Sequence, residues 1–426
     1  MVYVISQDGQ PLMPTVRHGK VRRLLKSGKA KVVKRCPFTI RLLYDSTHHT
    51  QDLILGVDTG SGTIGTAVSD DKGNIYYASE VTVRNDIAGR MTDRRKYRRD
   101  RRIRKTRYRK PRFLNRGNST KTDRFSPTMV SKLRSHEKEI RFVESILPIR
   151  TIVLETGKFD PHLMKDPALA DEDIRHWGYQ KGPNYGFENT KAMVLDRDGY
   201  TCQYCNGRHK DSKLEVHHIV FRSQGGSDEA DNLITLCHTC HEALHDGKIN
   251  PSFKGKRKGQ LRHAAQMNGI RCQLLRMYPE AIETFGYITK ADREMLGLSK
   301  DHYIDACVIA SGGKAINMLT NILYIKRCIP AGDFQQTKGV RSEQPITTGK
   351  ICGFRKFDKV RYLGGEYFIK GRMSSGYAIL MDIDGNKIDF SYMPKGHKTP
   401  KLSKLKRLEA RSTWMVTTVA VTQSTA

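Results

Sequence analysis

Apolar residues in the first third of the chain fall in short runs with the spacing of β-strands. Residues 53–58 form a continuous apolar run that ends in Asp58, and residues 63–69 and 75–83 follow it after turn residues. Runs of this length bounded by Gly, Asn and Asp predict strands joined by tight turns. The pattern therefore predicts three successive antiparallel strands, with an acid at the end of the first.

Further elements follow from the same reasoning. Residues 2–5, 38–44 and 151–155 are predicted strands, the last ending in Glu155, and residues 10–14 are a predicted Pro-bounded turn. Helical spacing predicts helices over residues 21–29, 128–147, 263–277 and 301–325. Short strands are predicted at 359–368, 378–382 and 387–392, and the Ser/Thr-rich residues 411–426 are predicted to be a disordered tail. These elements predict a multidomain α/β protein.

The chain is strongly basic, with 75 Lys and Arg against 44 Asp and Glu and a net charge of +31. A polyanion that neutralises such a surface releases its counterions, so nucleic acid is the expected partner. Membrane is the rival polyanion, but no basic amphipathic helix with an aromatic apolar face stands out. No run of 18 apolar residues and no signal peptide is present, so we expect a soluble intracellular protein.

The basic residues are concentrated between residues 90 and 112, which hold fourteen Arg or Lys and two acids. Arg and Lys favour helix, so one long basic helix that tracks phosphates is predicted, with Tyr97 and Tyr108 interleaved for stacking. A merely solvated or disordered charge run is the alternative. The predicted nucleic-acid-binding residues are Arg94, Arg95, Arg98, Arg99, Arg101, Arg102, Arg104, Arg107 and Arg109.

Cysteine spacing predicts a metal site. Two Cys-x-x-Cys pairs, Cys202/Cys205 and Cys237/Cys240, supply four thiolates, which suit structural Zn²⁺. The other five cysteines are scattered and are predicted to be small core residues. Four unligated thiols are the alternative.

Histidines lie between and after these pairs. His217 and His218 are adjacent on a predicted strand and therefore point in opposite directions, so that one can face a metal and the other the substrate. His241 and His245 are four residues apart and share one helix face, and Asn232 lies between the two sets. A purely structural double-zinc module is the alternative, but it would need neither the His pair nor Asn232.

Acids far apart in the chain form a second set. Asp58 and Glu155 each end a predicted strand, and His302 and Asp305 lie one helical turn apart. Clustered carboxylates repel unless cations lie between them, and two Mg²⁺ ions would supply that compensation and also clamp a phosphodiester. Taken singly, Asp58 and Glu155 are equally well explained as a turn former and a solvated edge residue.

Residues 189–248 resemble the HNH (ββα-metal) nucleases. The resemblance implies that His217 and His241 bind a catalytic metal, with His245 as a weaker third ligand, and that His218 is the general base. Asn232 resembles the central Asn of that motif, which either orients the base or joins the metal.

The whole order of motifs resembles the IscB family, relatives of the CRISPR type II effectors. The residues that carry this resemblance are Leu55-Gly56-Val57-Asp58-Thr59-Gly60, the Arg-rich run, the HNH block, Asp301-His302-Tyr303-Ile304-Asp305-Ala306 and the Pro11-Leu12-Met13-Pro14 string. The resemblance implies an RNase H-like (RuvC) mixed sheet with an inserted HNH module and small N-terminal and C-terminal β-rich domains. The implied segments are 1–50 (PLMP domain), 51–86 (RuvC I), 87–115 (bridge helix), 116–160 (RuvC II), 161–188 (linker), 189–250 (HNH), 251–262 (linker), 263–329 (RuvC III) and 330–426 (target-adjacent-motif domain with the tail).

The resemblance also implies an activity. An omega RNA would guide this transposon-associated bacterial protein, a monomer in a ribonucleoprotein, to double-stranded DNA in the cytoplasm at the nucleoid. HNH, with one Mg²⁺, would cut the guide-paired strand; RuvC, with two Mg²⁺ held by Asp58, Glu155 and Asp305 and with His302 as base, would cut the displaced strand. The expected phosphate contacts of the C-terminal domain are Arg355, Lys356, Lys359, Arg361, Lys370 and Arg372. Two alternatives remain open: a protein-guided HNH endonuclease of homing or restriction type, and a non-cleaving RNA-guided regulator.

Overall fold

The computed structural model describes residues 1–103, 125–159, 170–171, 184–209, 211–250, 252–253, 262–331, 350–394 and 397–421, with backbone alone at 101–103 and 262. It contains two compact units. Met1–Gly157 and Gly269–Ala426 form the first, here called the sheet unit, and Lys158–Asn268 form the second, the small unit. Strands and helices occur in both, which confirms the predicted mixed α/β class.

The chain begins with a four-stranded sheet packed against one helix. Its strands are β1 (Val2–Ile5), β2 (Pro11–Thr15), β3 (Ala30–Lys34) and β4 (Thr39–Leu42), in the order β2-β1-β4-β3, and its helix is α1 (His18–Lys26). The turn predicted at residues 10–14 is wrong, because Pro11–Thr15 pairs antiparallel with β1. An edge strand tolerates proline, since the missing N–H faces away from the neighbouring strand.

The largest sheet has eight strands. Seven follow the order β11-β8-β5-β6-β7-β13-β18, and the short β12 pairs with β7. The bounds are β5 (Leu53–Asp58), β6 (Thr63–Ser69), β7 (Asn74–Thr82), β8 (Ile149–Thr156), β11 (Ile282–Phe285), β12 (Asn317–Met318), β13 (Ile322–Cys328) and β18 (Trp414–Ala420). The predicted antiparallel trio is β5, β6 and β7, and β8 lies parallel to β5 on its other side.

The helix predicted over residues 301–325 is much shorter than expected. It ends at Ser311, and β12 and β13 follow. Gly312 and Gly313 both adopt positive φ angles, 62° and 74°, a conformation that ends a helix at little cost for glycine. The apolar residues after them include Ile322, Tyr324 and Ile325. β-Branched and aromatic side chains of this kind are enriched in strands.

The C-terminal tail is also ordered where the structure describes it. Trp414–Ala420 forms β18, which pairs antiparallel with β13 along its whole length. The disorder predicted for residues 411–426 is therefore wrong for this stretch, and this part of the predicted segment 330–426 is a strand of the large sheet. Residues 422–426 lie outside the described part of the chain.

Four helices accompany the large sheet: α2 (Ile87–Ile103), α3 (Pro127–Glu144), α7 (Gly286–Met295) and α8 (His302–Ser311). Helix α8 lies directly on β5 and β6, because a Cβ at Gly56 would come within 2.5 Å of Ala306 O and one at Gly65 within 2.0 Å of His302 O. Glycine at these two positions allows the close approach that brings His302 onto the sheet. Within the described ranges, no helix is both long and apolar enough to cross a membrane.

The remaining strands of the sheet unit form a second small sheet. Its strands are β14 (Lys359–Tyr362), β15 (Gly365–Arg372), β16 (Ala378–Met381) and β17 (Lys406–Glu409), in the order β16-β15-β14-β17. The strand predicted over 359–368 is thus a hairpin, and of the strand predicted at 387–392 only an isolated bridge, Met381 to Lys387, is present.

The small unit contains a ββα arrangement. Antiparallel strands β9 (Leu214–His218) and β10 (Leu233–Cys237) lead into helix α5 (His238–His245), and α4 (Thr190–Arg197) precedes them. Helix α6 (Arg262–Met277) leads from the end of the small unit into the sheet unit. Most of the linker predicted at 161–188 lies outside the described residues.

Candidate functional site

The ββα arrangement brings three histidines together. His217 is buried on β9, while His241 and His245 share one face of α5. Ligand atoms of the three imidazoles all lie within 4.8 Å of one another, and the Nε2 atoms of His241 and His245 are 3.3 Å apart. Nitrogens this close need a cation or a shared proton between them. The structure thus unites the three histidines that the sequence analysis assigned to a metal.

The surroundings of this group lower the pKa of His217 and of His241, in both cases mainly through burial. Burial, together with the neighbouring His241 and His245, lowers the pKa of His217 to about 4. Glu215 accepts a hydrogen bond at Oε2 from Nδ1 of His241 at 2.8 Å. A carboxylate that fixes one imidazole nitrogen leaves the other directed at a metal, as in many metal sites.

His218 faces away from that group. Its Nε2 lies 3.0 Å from Oδ1 of Asp228, and the Nε of Arg222 lies 3.3 Å from the same ring nitrogen. Adjacent residues on β9 therefore have different partners, as the alternation of a strand requires. The side chain of His218 is partly exposed, so water and substrate can reach it.

Asn232 is buried and fully hydrogen-bonded to backbone. Its Oδ1 accepts from Val220 N at 3.0 Å, and its Nδ2 donates to Val220 O at 3.0 Å and Ser227 O at 2.8 Å. It therefore closes the loop that follows His218, with both of its amide atoms bonded to backbone. Of the two roles left open for it, the geometry fits positioning.

The four paired cysteines converge as predicted. Sulfur atoms of Cys202, Cys205, Cys237 and Cys240 lie within 4.8 Å of one another, and all four residues are buried. Burial alone would raise the thiol pKa of Cys205, but the backbone N–H of His209 and the neighbouring thiols lower it to about 6. Four thiols in this arrangement fit a metal ion that binds thiolates.

In the sheet unit, Asp58 and Glu155 are direct neighbours. They end the parallel strands β5 and β8 and occupy the same register position, so their side chains share one face of the sheet. His302, the first residue of α8, places Nδ1 2.6 Å from Oδ2 of Asp58. That hydrogen bond raises the pKa of His302 despite partial burial.

Asp305 lies one turn further along α8 and forms an ion pair with Arg293 of α7. Arg293 and Thr289, on the same helix, are both buried. Thr289 also hydrogen-bonds the Glu155 side chain, an interaction that lowers the Glu155 pKa. Helix α7 thus provides a partner for two of the predicted acids.

Glu155 is the least compensated of the acids. Burial, with smaller contributions from Asp58 and Asp305, raises its pKa to about 7, and its Oε2 is buried with no hydrogen-bond partner among the described residues. Ligand atoms of the three acids do not all lie within 4.8 Å of one another, since only the cysteine and histidine groups meet that criterion among the described residues. Carboxylates repel, and two of these instead pair with His302 and Arg293.

The predicted basic helix is present as α2, over Ile87–Ile103. Arg94, Arg95, Arg98 and Arg99 are exposed on it. Arg101 and Arg102 continue the helical backbone, while Arg104, Arg107 and Arg109 lie outside the described residues. Exposed guanidinium groups on one helix fit contact with a phosphate backbone.

Some of the basic residues expected to contact phosphates in the C-terminal sheet have internal partners. Lys359 is buried and pairs with Glu366 at 3.0 Å, and Arg361 pairs with the same carboxylate at 3.1 Å. Lys370 donates to Gly385 O and Arg372 to Phe354 O. The expectation for Lys359 is wrong, because its ammonium is used inside the domain.

Sequence reasoning missed several residues at these sites. Glu215 carries a usable signal, since it lies two residues before His217 on the same strand face. Arg293 and Thr289 belong to a helix that the pattern did not predict. Arg222 and Asp228 lie in an irregular loop, where spacing gives no information about contacts.

Two family models match the chain. The model of RRXRR proteins matches residues 2–182, a region that includes Arg98-Arg99-Asp100-Arg101-Arg102, and the model of HNH endonucleases matches residues 202–247. The second match covers the three histidines, His218, Asn232 and all four paired cysteines.

Curated relatives match shorter stretches. A putative COX1/OXI3 intron 2 protein of Saccharomyces cerevisiae is 29% identical over 127 residues, 24% of this chain and 14% of that protein. Anaredoxin of Nostoc sp. is 34% identical over 70 residues, 16% of this chain and 88% of that protein. The type IV methyl-directed restriction enzyme EcoKMcrA of Escherichia coli is 36% identical over 64 residues, 14% of this chain and 23% of that protein. The chain thus spans less than a quarter of the first and third of these relatives.

Solved structures add a weak likeness. Streptococcus thermophilus Cas9 in complex with the AGAA PAM is 11% identical with a TM-score of 0.32, covering 50% of this chain and 30% of that one. The Type II-C Cas9 of Actinomyces naeslundii is 19% identical with a TM-score of 0.16, covering 44% and 28%. The family match assigns residues 202–247 to an HNH endonuclease domain, and the chain therefore contains a nuclease domain.

Proposed function

We propose that this chain is an RNA-guided DNA endonuclease of the IscB type with two nuclease sites. The observation that carries the proposal is the convergence of His217, His241 and His245, with His218 on the opposite face of β9, inside the region that matches HNH endonucleases. The second support is the placement of Asp58 beside Glu155 at the ends of parallel strands, with His302 bonded to Asp58.

The three-histidine group fits a catalytic divalent ion. Its imidazoles converge, the pKa of His217 is lowered to about 4, and Glu215 fixes His241. His217, His241 and His245 would hold the ion, proposed to be Mg²⁺, which would supply charge stabilisation for the departing phosphate oxygen. All-nitrogen ligands are also typical of transition metals, so the identity of the ion belongs to the test.

The chain's own groups perform the proton transfer in this site. His218 is partly exposed and lies outside the metal group, so its imidazole takes a proton from the attacking water. Histidine is the side chain that most often acts as a general base in enzymes. Asn232 keeps the loop after His218 closed and so limits where the base can move.

The acid site in the sheet unit is the proposed site of a pair of divalent ions. Glu155 Oε2 is buried with no hydrogen-bond partner among the described residues, and its pKa is raised to about 7; a cation beside it would relieve both. Asp58, Glu155 and Asp305 would hold two Mg²⁺ ions, which would clamp the attacking and leaving oxygens. His302, held by Asp58, is the proposed base of this site, where the displaced strand would be cut.

Zn²⁺ is the proposed ion of the cysteine group, because four buried thiols with paired spacing are a closed, tetrahedral donor set. Guide RNA and target DNA are the proposed partners, supported by the net charge of +31 and by the exposed arginines of α2. An omega RNA guide, action as a monomer in a ribonucleoprotein, and a cytoplasmic location in bacteria belong to the same proposal.

A protein-guided HNH endonuclease is the second candidate. The 36% identity with EcoKMcrA favours it, but that similarity covers only 14% of this chain. The acid site and α2 would then have no assigned role. The two candidates differ in one simple respect, since only the first requires RNA.

Purification from the native host with sequencing of retained nucleic acid distinguishes the candidates. A discrete co-purifying RNA that directs cutting of a complementary duplex supports the first proposal. Protein that cuts DNA without RNA supports the second. Full RNA loading with no cutting in Mg²⁺ or Mn²⁺ would show a non-cleaving binder and overturn both.

Strand-specific cleavage then tests the two sites. We expect Asp58→Ala to abolish cutting of the displaced strand and His218→Ala to abolish cutting of the guide-paired strand, each by at least about a hundredfold. Asp71→Ala, an exposed acid in the same sheet unit, is the matched control and should cut both strands. Loss of both cuts in either single variant, with DNA binding intact, would contradict the assignment of two sites.

A further inference from the structure

The loop that follows β9 carries a charged group that the three-histidine site does not use. Oδ1 of Asp228 lies 2.7 Å from Nε of Arg222 and 3.0 Å from Nε2 of His218. Arg222 Nε is itself 3.3 Å from that imidazole nitrogen. One carboxylate oxygen therefore bridges an arginine and the proposed general base.

The loop places these groups firmly. Asn232 bonds both ends of it, at Val220 and at Ser227. A Cβ at Gly226 would come within 1.7 Å of Val220 O, so the two arms of the loop touch backbone to backbone. Arg222 and Asp228 are thus held across a closed loop beside His218.

The bridge itself is a surface feature. The side chains of Arg222 and Asp228 are 67% and 54% exposed. Ion pairs with this exposure contribute little to folding, because water and salt screen them. The contact can therefore be exchanged for another anion without loss of the fold.

The groups around Asp228 suit a phosphate as well as they suit a carboxylate. A guanidinium presents the same fork of donors to either anion. An aspartate that stayed between Arg222 and His218 while DNA was bound would repel the DNA backbone at the point of cutting. When the phosphate replaces the Asp228 carboxylate, that repulsion is removed and His218 is no longer bonded to Asp228.

We propose that Arg222 binds the scissile phosphate at the HNH site, and that Asp228 occupies the place of that phosphate until DNA enters. The proposal rests on the proposed function, since it takes the HNH site to be the one that cuts the guide-paired strand. Arg222 becomes a substrate-binding residue of the site, and Asp228 a competitor for it.

A rival role for Asp228 gives the opposite result. If Asp228 oriented the His218 ring during catalysis, as carboxylates orient catalytic histidines elsewhere, its removal would lower kcat. If it holds the phosphate position, its removal raises kcat/KM. The sign of the change decides between them.

The test uses the guide-loaded protein in an Asp58→Ala background, so that only the HNH cut is measured. We expect Asp228→Ala to raise kcat/KM about threefold to tenfold, mainly through KM, and Arg222→Gln to lower it about tenfold or more, as for a lost charge-assisted hydrogen bond. Asp196→Ala and Arg208→Gln make the same charge changes at exposed positions of the small unit and should stay near the parent. A fall in kcat for Asp228→Ala, or equal effects of Arg222→Gln and Arg208→Gln, overturns the proposal.

A binding measurement keeps the two proposals separable. The dissociation constant of a short nonspecific DNA duplex is measured on the same variants by fluorescence anisotropy across a salt series. Asp228→Ala should bind the duplex more tightly than Asp196→Ala. The slope of log affinity against log salt concentration should be about one unit shallower for Arg222→Gln than for Arg208→Gln. If the parent cuts no DNA, the proposed function fails, while this order of affinities still supports or overturns the phosphate site.

Discussion

The sheet unit and the small unit each contain a candidate site, but their interiors are built differently. In the sheet unit, residues such as Leu53, Leu55, Val57 and Ile64 are completely buried between strands and helices. In the small unit, the main buried cluster consists of Ile234, Leu236 and the four paired cysteines. The cysteines thus make up most of that cluster, and a second buried cluster among the described residues of the small unit contains only Met193, Val194 and Leu233.

The two interiors imply different sources of folding free energy. Burial of apolar area stabilises the sheet unit, at roughly 25 cal/mol per Å². The small unit lacks such a core, and an ion bound by thiolates can supply the missing free energy. Loss of the metal should therefore unfold the small unit, whereas the fold of the sheet unit should persist after chelation.

The largest expected effect is the loss of order in the small unit when its thiols are removed. Cys202→Ser with Cys237→Ser should forfeit most of a zinc binding free energy of about 10–16 kcal/mol, and amide exchange over β9, β10 and α5 should rise to near the unfolded rate. Exchange in the sheet unit should not change. Cys272 and Cys352 are exposed, so the prediction that they are core residues is wrong, and Cys272→Ser with Cys352→Ser is the control. Unaltered protection in α5 of the first variant would show that the cysteines are ordinary core.

The next effect concerns a charge pair inside the sheet unit. Lys326 Nζ lies 2.7 Å and 2.8 Å from the two carboxylate oxygens of Glu139, and both residues are essentially unexposed. Lys326→Met should cost about 3–5 kcal/mol, because it leaves Glu139 charged and buried. Urea denaturation measures this cost.

Two variants sharpen that result. Lys326→Met with Glu139→Gln should recover much of the loss, since the amide keeps acceptors for Tyr77, Ser79 and Thr66. Lys290→Met breaks an exposed pair with Glu294 and should cost less than about 1 kcal/mol. A similar cost for Lys290→Met and Lys326→Met would mean that burial of the pair is unimportant.

A smaller, pH-dependent effect should also belong to the sheet unit. His136 is completely buried, and burial lowers its pKa to about 4 from the ordinary 6.5. Below pH 6.5 the unfolded chain binds a proton that the folded chain refuses, so stability falls as the pH decreases from 6.5 to 4, by about 3 kcal/mol in all. His136→Gln should flatten this part of the stability profile. An identical slope in the variant and the parent would assign the pH dependence to other groups.

The smallest effects compare one helix cap in each unit. Ser126 accepts a hydrogen bond from Met129 N at 3.4 Å to cap α3, and Asn189 accepts one from Ala192 N at 3.0 Å to cap α4. Ser126→Ala and Asn189→Ala should each cost about 1 kcal/mol. We expect the first to shift the urea midpoint of the sheet unit and the second to raise amide exchange in α4 alone. Ser126→Thr and Asn189→Asp retain a cap and should restore the parent behaviour.

Much of the candidate site could be predicted because its signals are local. Spacing along the chain identifies the potential ligands: the cysteine pairs, a His pair on a strand, and two histidines one helical turn apart. That Asp58 and Glu155 each end a strand also followed from the apolar pattern, whereas their adjacency is given by the register of β5 and β8. Errors arose where an apolar run fits a helix or a strand equally well, as at residues 301–325, which contain α8 and β13.

Sequence patterns therefore predict the mixed α/β class, the basic helix and the residues that converge in the small unit. Only the tertiary structure decided that Trp414–Ala420 returns to the large sheet, that Arg293 pairs with Asp305, and that Asp228 bridges Arg222 and His218. The physical reason is that spacing encodes which face a side chain occupies within one element. Contacts between elements depend instead on strand order, close approach and loop closure, which no local pattern specifies.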